Sequence, residues 1–134
     1  MQIGRAGRRI GSVRIVATVL ICDDAVAYGV LFARWMRDCG FPDVSHARTG
    51  AEAEGLAREL QPAVIVADHL LPDTTSVDLV PRLRAAAPGA RVLLISGMPD
   101  DELAATAEEA GADAHMSKAS ATGAMCAAVT ALLS

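Results

Sequence analysis

Lysine is nearly missing from this chain: among 12 Lys and Arg residues, only Lys118 is a lysine. Aromatic residues are scarce as well, with one Trp, one Tyr and two Phe. Nucleic acid is held by basic grooves and stacking rings, and a chain with no Lys/Arg stripe and few aromatics offers neither. Long apolar runs are also lacking. The run 15–22 follows Arg5, Arg8, Arg9 and Arg14 and has the outline of a secretory signal, with Arg8-Arg9 suggesting the twin-arginine type. It ends in Asp23-Asp24 instead of a small-residue cleavage site, and nothing elsewhere approaches the ~20 apolar residues of a membrane span. Cys22, Cys39 and Cys126 cannot all pair and have no metal-type spacing, so buried reduced thiols are expected. No Walker-type glycine loop is present, which leaves nucleotide hydrolysis without support.

What is there is a chain of 134 residues, 52% hydrophobic, which suits one domain with a sizeable core. A basic leader over residues 1–12, expected to be disordered, precedes a domain over 13–134. Short apolar runs at 13–22, 44–47, 63–67, 91–95 and 112–116 have the length and the Val, Ile and Leu content of buried strands. Between them, 26–39, 51–60, 77–87, 101–110 and 121–133 are long enough, and rich enough in Ala, Leu, Arg and Glu, for helices. Gly40, Pro62, Pro88-Gly89 and Gly111 mark the ends of the first four. Strict alternation with strands apolar throughout predicts an α/β fold: a (βα)5, doubly wound, five-stranded parallel sheet with helices on both faces.

Such a sheet gathers ligands at the carboxyl ends of its strands. The residues found there are Asp23-Asp24 after the first strand, Asp68 after the third, Ser96 after the fourth and Lys118 after the fifth. Each acid alone has an ordinary alternative as a helix cap or a solvated charge. Their convergence on one edge is harder to explain that way. A composition that otherwise uses Arg for positive charge points to a need for a compact ammonium at position 118. Carboxylates about 4 Å apart repel by a few kcal/mol at an effective dielectric near 20, so a hard divalent cation such as Mg²⁺ is expected among them. Without the ion, one acid should show a raised pKa. Asp68 is the candidate nucleophile toward phosphorus, and Ser96 a donor to a phosphoryl oxygen.

These segments resemble the receiver domains of two-component response regulators, which have a flavodoxin-like fold. The matching motifs are Leu20-Ile21-Cys22-Asp23-Asp24, Val64-Ile65-Val66-Ala67-Asp68-His69-Leu70-Leu71-Pro72, Leu93-Leu94-Ile95-Ser96-Gly97, and Gly111-Ala112-Asp113-Ala114-His115-Met116-Ser117-Lys118. The resemblance implies that Asp68 is the phosphoacceptor. It implies that Asp24, Asp68 and the Leu70 backbone carbonyl ligate Mg²⁺, and that Asp23 holds it through water. Ser96 becomes the hydroxyl switch residue and Lys118 the phosphoryl contact. The implied donor is a phosphohistidine on a sensor histidine kinase or a phosphotransfer protein. Three positions depart from the pattern: Ala119 stands where many relatives have proline, His115 where they carry a rotating Tyr or Phe, and Thr74-Thr75-Ser76 where the loop usually contains glycine.

A phosphorylation-dependent switch is therefore expected, cytoplasmic, not an enzyme beyond its own phosphorylation and dephosphorylation, and touching neither nucleic acid nor membrane. A homodimer through the last two helices and the fifth strand fits the same family. His115 is a candidate switch ring, against the plainer reading of a half-exposed strand histidine. Two other functions stand beside it: a phosphorylation-independent interaction module with the same fold, and a metal-dependent phosphatase of small esters, for which the chain shows no cap domain. His46 and His69 lack zinc-type spacing, and Trp35 and Tyr28 are expected to serve packing.

Overall fold

The computed structural model describes residues 18–120 and 122–133. The basic leader at 1–12, and residues 13–17 of the first expected strand, lie outside them. The elements in chain order are β1 (Val19–Cys22), α1 (Val26–Asp38), β2 (Val44–Ala47), α2 (Gly50–Leu60), β3 (Val64–Asp68), β4 (Leu70–Leu71), β5 (Thr74–Thr75), α3 (Ser76–Ala86), β6 (Arg91–Ser96), α4 (Asp100–Ala110), β7 (Ala114–Ser117) and α5 (Thr122–Leu132). Five strands form one parallel sheet in the order β2-β1-β3-β6-β7, while β4 and β5 make a separate antiparallel hairpin.

The continuous apolar runs follow from a sheet covered on both faces. Along β1, Val19 and Ile21 point to the layer of Phe32, Met36, Met125 and Val129, whereas Leu20 and Cys22 point to that of Ala53, Ala57, Leu79 and Leu83. β3 repeats the alternation, with Val64 and Val66 on the first side and Ile65 and Ala67 on the second. Thus α1 and α5 cover one face and α2 and α3 the other, while α4 closes over Leu94 with Leu103 and Ala107. Edge strands β2 and β7 are only partly covered.

Local chemistry sets the ends of the elements. Thr49 accepts from the Glu52 N–H at 3.1 Å while the Glu52 carboxylate accepts from the Arg48 N–H at 2.6 Å, a reciprocal clasp that starts α2. Asp73 adds acceptors for the Gly50 and Ala51 N–H groups at 2.7 and 3.0 Å, tying the β4–β5 hairpin to that helix. α4 begins with Asp100, Asp101 and Glu102 at its positive end and stops at Gly111, whose φ of 81° is left-handed. The fifth sheet strand starts two residues later than the sequence suggests. Ala112 still bonds back to the Ala107 carbonyl, and Asp113 spends its carboxylate on the Val92 N–H.

One expectation is overturned. Cys39 and Cys126 form a disulfide, and only Cys22 remains a free, buried thiol among the described residues. α1 and α5 lie side by side on one face, which brings residues 87 apart in sequence to a Cα separation of 6.0 Å, within bridging range.

Candidate functional site

Strand order reverses between β1 and β3, so the loops leaving their carboxyl ends diverge and open a crevice. The register pairs Cys22 with Ala67, Asp68 with Ile95 and Ser96 with Ser117. Asp23 therefore emerges beside Asp68, with Ser96 and Lys118 just beyond on the neighbouring strands. The five residues expected at this edge are brought together, and carboxylate oxygens of Asp23, Asp24 and Asp68 all lie within 4.8 Å of one another.

Asp23 is fully buried, Asp24 exposed and Asp68 half-buried. Asp23 accepts from the Ala25 N–H at 2.8 Å, at the start of α1, and from the Lys118 ammonium at 2.6 Å. The same ammonium stands 3.5 Å from the Asp68 carboxylate. Burial pushes the Asp68 carboxyl above its usual range; the Lys118 charge opposes this and the Asp23 charge adds to it. Burial works against the Lys118 charge too, yet its bond to Asp23 and the charge of Asp68 prevail and raise its pKa. The expectation that one acid should show a raised pKa holds at Asp68, with burial as the first cause.

Ser96 is almost fully buried. Its Oγ accepts the Met98 N–H at 3.2 Å, which leaves the hydroxyl proton free to donate, and its carbonyl accepts the Lys118 N–H at 3.0 Å. The loop after Asp68 is held at both ends. The His69 N–H donates to the Ile95 carbonyl at 3.1 Å, the Ser76 N–H donates to the His69 carbonyl at 2.9 Å, and His69 Nδ1 meets Ser76 Oγ at 2.6 Å. Leu70, between them, exposes 62% of its surface. The Thr74-Thr75-Ser76 stretch thus forms an anchored hairpin end without glycine. His115 is exposed on β7 and lines a shallow groove with Ala104, Ala105 and Glu108 of α4, a groove to which Asp23, Asp24 and Asp68 do not contribute.

Two contributors escaped the sequence reading. Nε2 of His46, on β2, donates to the Asp23 carbonyl at 2.7 Å, and its ring fills the space where a Cβ on Gly29 would sit. Tyr28, on α1, has the Lys118 ammonium 4.4 Å from its ring centroid. Its hydroxyl is pushed up to about 12, by burial first and then by the charges of Asp23 and Asp68. Both were assigned no role beyond ordinary structure. A signal existed for Tyr28, since it lies one helical turn after Asp24 on the helix that leaves the acidic pair.

The fold and site define a class of α/β domain: a doubly wound parallel sheet whose carboxyl edge carries an acidic triad that could hold a metal ion, with a hydroxyl and a lysine on the neighbouring strands. The response regulator receiver domain family matches residues 19–130, and the chain belongs to it. Relatives include the "Probable transcriptional regulatory protein SilR" of Salmonella typhimurium, 30% identical over 86% of this chain and 50% of that protein. The chemotaxis protein CheY of Thermotoga maritima is 27% identical over 70% of this chain and 78% of its own. The chain spans about half the length of SilR and 43% of TcrX from Mycobacterium tuberculosis, the transcriptional regulators it matches. Among solved structures, a LuxR-family two-component response regulator from Aurantimonas superposes with a TM-score of 0.79 at 28% identity, covering 88% of this chain and 85% of that one. Vibrio cholerae CheY4 gives the same TM-score at 22% identity, covering 88% and 99%, and speaks for the fold alone. No helix among the described residues is long and apolar enough to cross a membrane.

Proposed function

We propose that Asp68 accepts a phosphoryl group from a phosphohistidine, on a sensor histidine kinase or a phosphotransfer protein, in a Mg²⁺-dependent reaction that switches partner binding. The observation that carries this is the position of Asp68, within reach of the chain's one lysine, crowded by two further acids and left with a raised pKa. The hard oxygen donors suit Mg²⁺. Asp24, Asp68 and the Leu70 carbonyl would hold it, with Asp23 acting through water. Bound there, it supplies counter-charge to the acids and to phosphoryl oxygens.

The protein's own groups do the rest. An oxygen of the Asp68 carboxylate bonds to phosphorus as the donor's phosphorus–nitrogen bond breaks and the imidazole leaves with the electron pair. Lys118, fixed at its other side by Asp23, takes one phosphoryl oxygen, and the free proton of the Ser96 hydroxyl takes another. The protein's own chemistry extends at most to its phosphorylation and dephosphorylation at Asp68, with no separate substrate turned over. Drawing Ser96 inward pulls on the Lys118 N–H and on β7, so the face of α4, β7 and α5, where His115 lies, is where binding of a partner or a second copy would change. Such exchange is expected in the cytoplasm, without contact to membrane or nucleic acid by this domain.

Incubation with labelled phosphoramidate and Mg²⁺ tests the assignment. Wild-type protein should take up label, and removal of Mg²⁺ with a chelator or an Asp68→Asn change should abolish uptake. Equal labelling of the Asn variant would place the acceptor elsewhere.

A further inference from the structure

The Lys118 ammonium is enclosed on three sides by unlike groups. Asp23 and Asp68 supply two, at 2.6 and 3.5 Å, and the face of Tyr28 supplies the third, at 4.4 Å. The ring itself is fixed: Trp35 meets it edge-on at 5.9 Å and 87°, and Phe32 packs at 6.3 Å. Its hydroxyl is buried without a hydrogen-bond partner among the described residues. Buried phenols ordinarily find one, so the polar end of the side chain does not account for its place. The ring face does, because a partly desolvated ammonium over an aromatic ring is attracted to it. A lysine stem has four rotatable bonds, and the ring face closes a side of the ammonium that the two carboxylates do not cover.

We infer that Tyr28 is a positioning residue, whose ring face holds the Lys118 ammonium at the Asp23–Asp68 pair and so sets how fast Asp68 can accept a phosphoryl group. The second half of that statement rests on the proposed function; the first does not. The contact acts on lysine alone, through the ring and without the hydroxyl. Phenylalanine at this position should therefore serve as well as tyrosine, and an aliphatic side chain of similar bulk should not.

The full chain offers a direct test because Lys118 is its sole lysine and Tyr28 its sole tyrosine. Lysine-selective isotope labelling then gives one side-chain signal, and protons above an aromatic face are shielded. In wild-type protein and in Tyr28→Phe the Lys118 ε-methylene protons should resonate upfield of free lysine. In Tyr28→Leu the shift should vanish. With phosphoramidate and Mg²⁺, labelling of Tyr28→Leu should slow by about 3- to 10-fold, and that of Tyr28→Phe should stay within about twofold. An unchanged lysine shift or an unchanged rate in the Leu variant overturns the inference. A Phe variant as slow as the Leu variant overturns it too, by assigning the effect to the hydroxyl. Wild-type protein that keeps a shielded lysine but takes no label would refute the proposed function and the rate claim, while the positional claim stood on the spectrum.

Discussion

Asp68 and Asp113 are both largely shielded carboxylates, with 15% and 23% of their side chains exposed, and both face basic residues. Their acidities are driven in opposite directions. Burial raises the pKa of each, but at Asp113 it is outweighed by the Val92 N–H at 2.8 Å, by the Arg84 guanidinium at 3.0 Å and by Arg91 at 3.9 Å, so the carboxyl ends below its usual range. At Asp68 burial wins, because its one cation is shared with Asp23 and Asp23 adds its own negative charge. The difference lies in the donors supplied. A structural acid is given all that it can accept, whereas the acid at the crevice is left wanting positive charge, and a metal ion or a phosphoryl group with its cation can meet that want.

The largest effect should come from taking away the shared cation. Lys118→Met leaves the fully buried Asp23 without its partner and should cost about 3 kcal/mol in urea unfolding at neutral pH, with part recovered by added Mg²⁺. A loss below that of any change at Asp113 would undo the contrast. Asp113→Ala strips an acceptor from the partly buried Val92 N–H and from Arg84, at a cost of about 1–2 kcal/mol. Because the folded pKa is depressed, that contribution is complete above the unfolded value near ~3.9 and fades as the pH falls through the folded one, so the gap between wild type and variant should close in acid.

The smallest effect has the opposite sign. With a raised folded pKa, ionised Asp68 weakens the fold as the pH rises through that value. Asp68→Asn should then be more stable than wild type at neutral pH, by about 0.5 kcal/mol after allowance for solvent screening, and indistinguishable below the unfolded pKa. Thermal unfolding across this range gives the sign, and a destabilised Asn variant would mean that Asp68 is no different in kind from Asp113.

Most of the sheet was legible because its physics is local. Val19–Cys22 of β1, 64–67 of β3 and 92–95 of β6 are buried on both faces, so these runs are apolar without interruption and cannot be taken for surface. The acids, Ser96 and Lys118 were legible because parallel strands all end at one edge. The β4–β5 hairpin was not, since two residues per strand carry no period. Nor was the Cys39–Cys126 pairing, which depends on how α1 and α5 pack and on nothing near either cysteine in sequence. Tyr28 marks a subtler limit. A ring on the inner face of an amphipathic helix has the same spacing whether it meets methyl groups or an ammonium, and only the tertiary arrangement tells which.

Gly29 and His46 bind the fate of two distant codons. The His46 imidazole can lie this close to the first helix because Gly29 carries no side chain, and that imidazole in turn holds the backbone carrying Asp23. A change at either position alone disturbs the Asp23 contact: a methyl at 29 displaces the ring, and a smaller residue at 46 leaves the carbonyl without its donor. The two positions are thus coupled through the Asp23 backbone: a side chain at 29 calls for a different donor to that carbonyl.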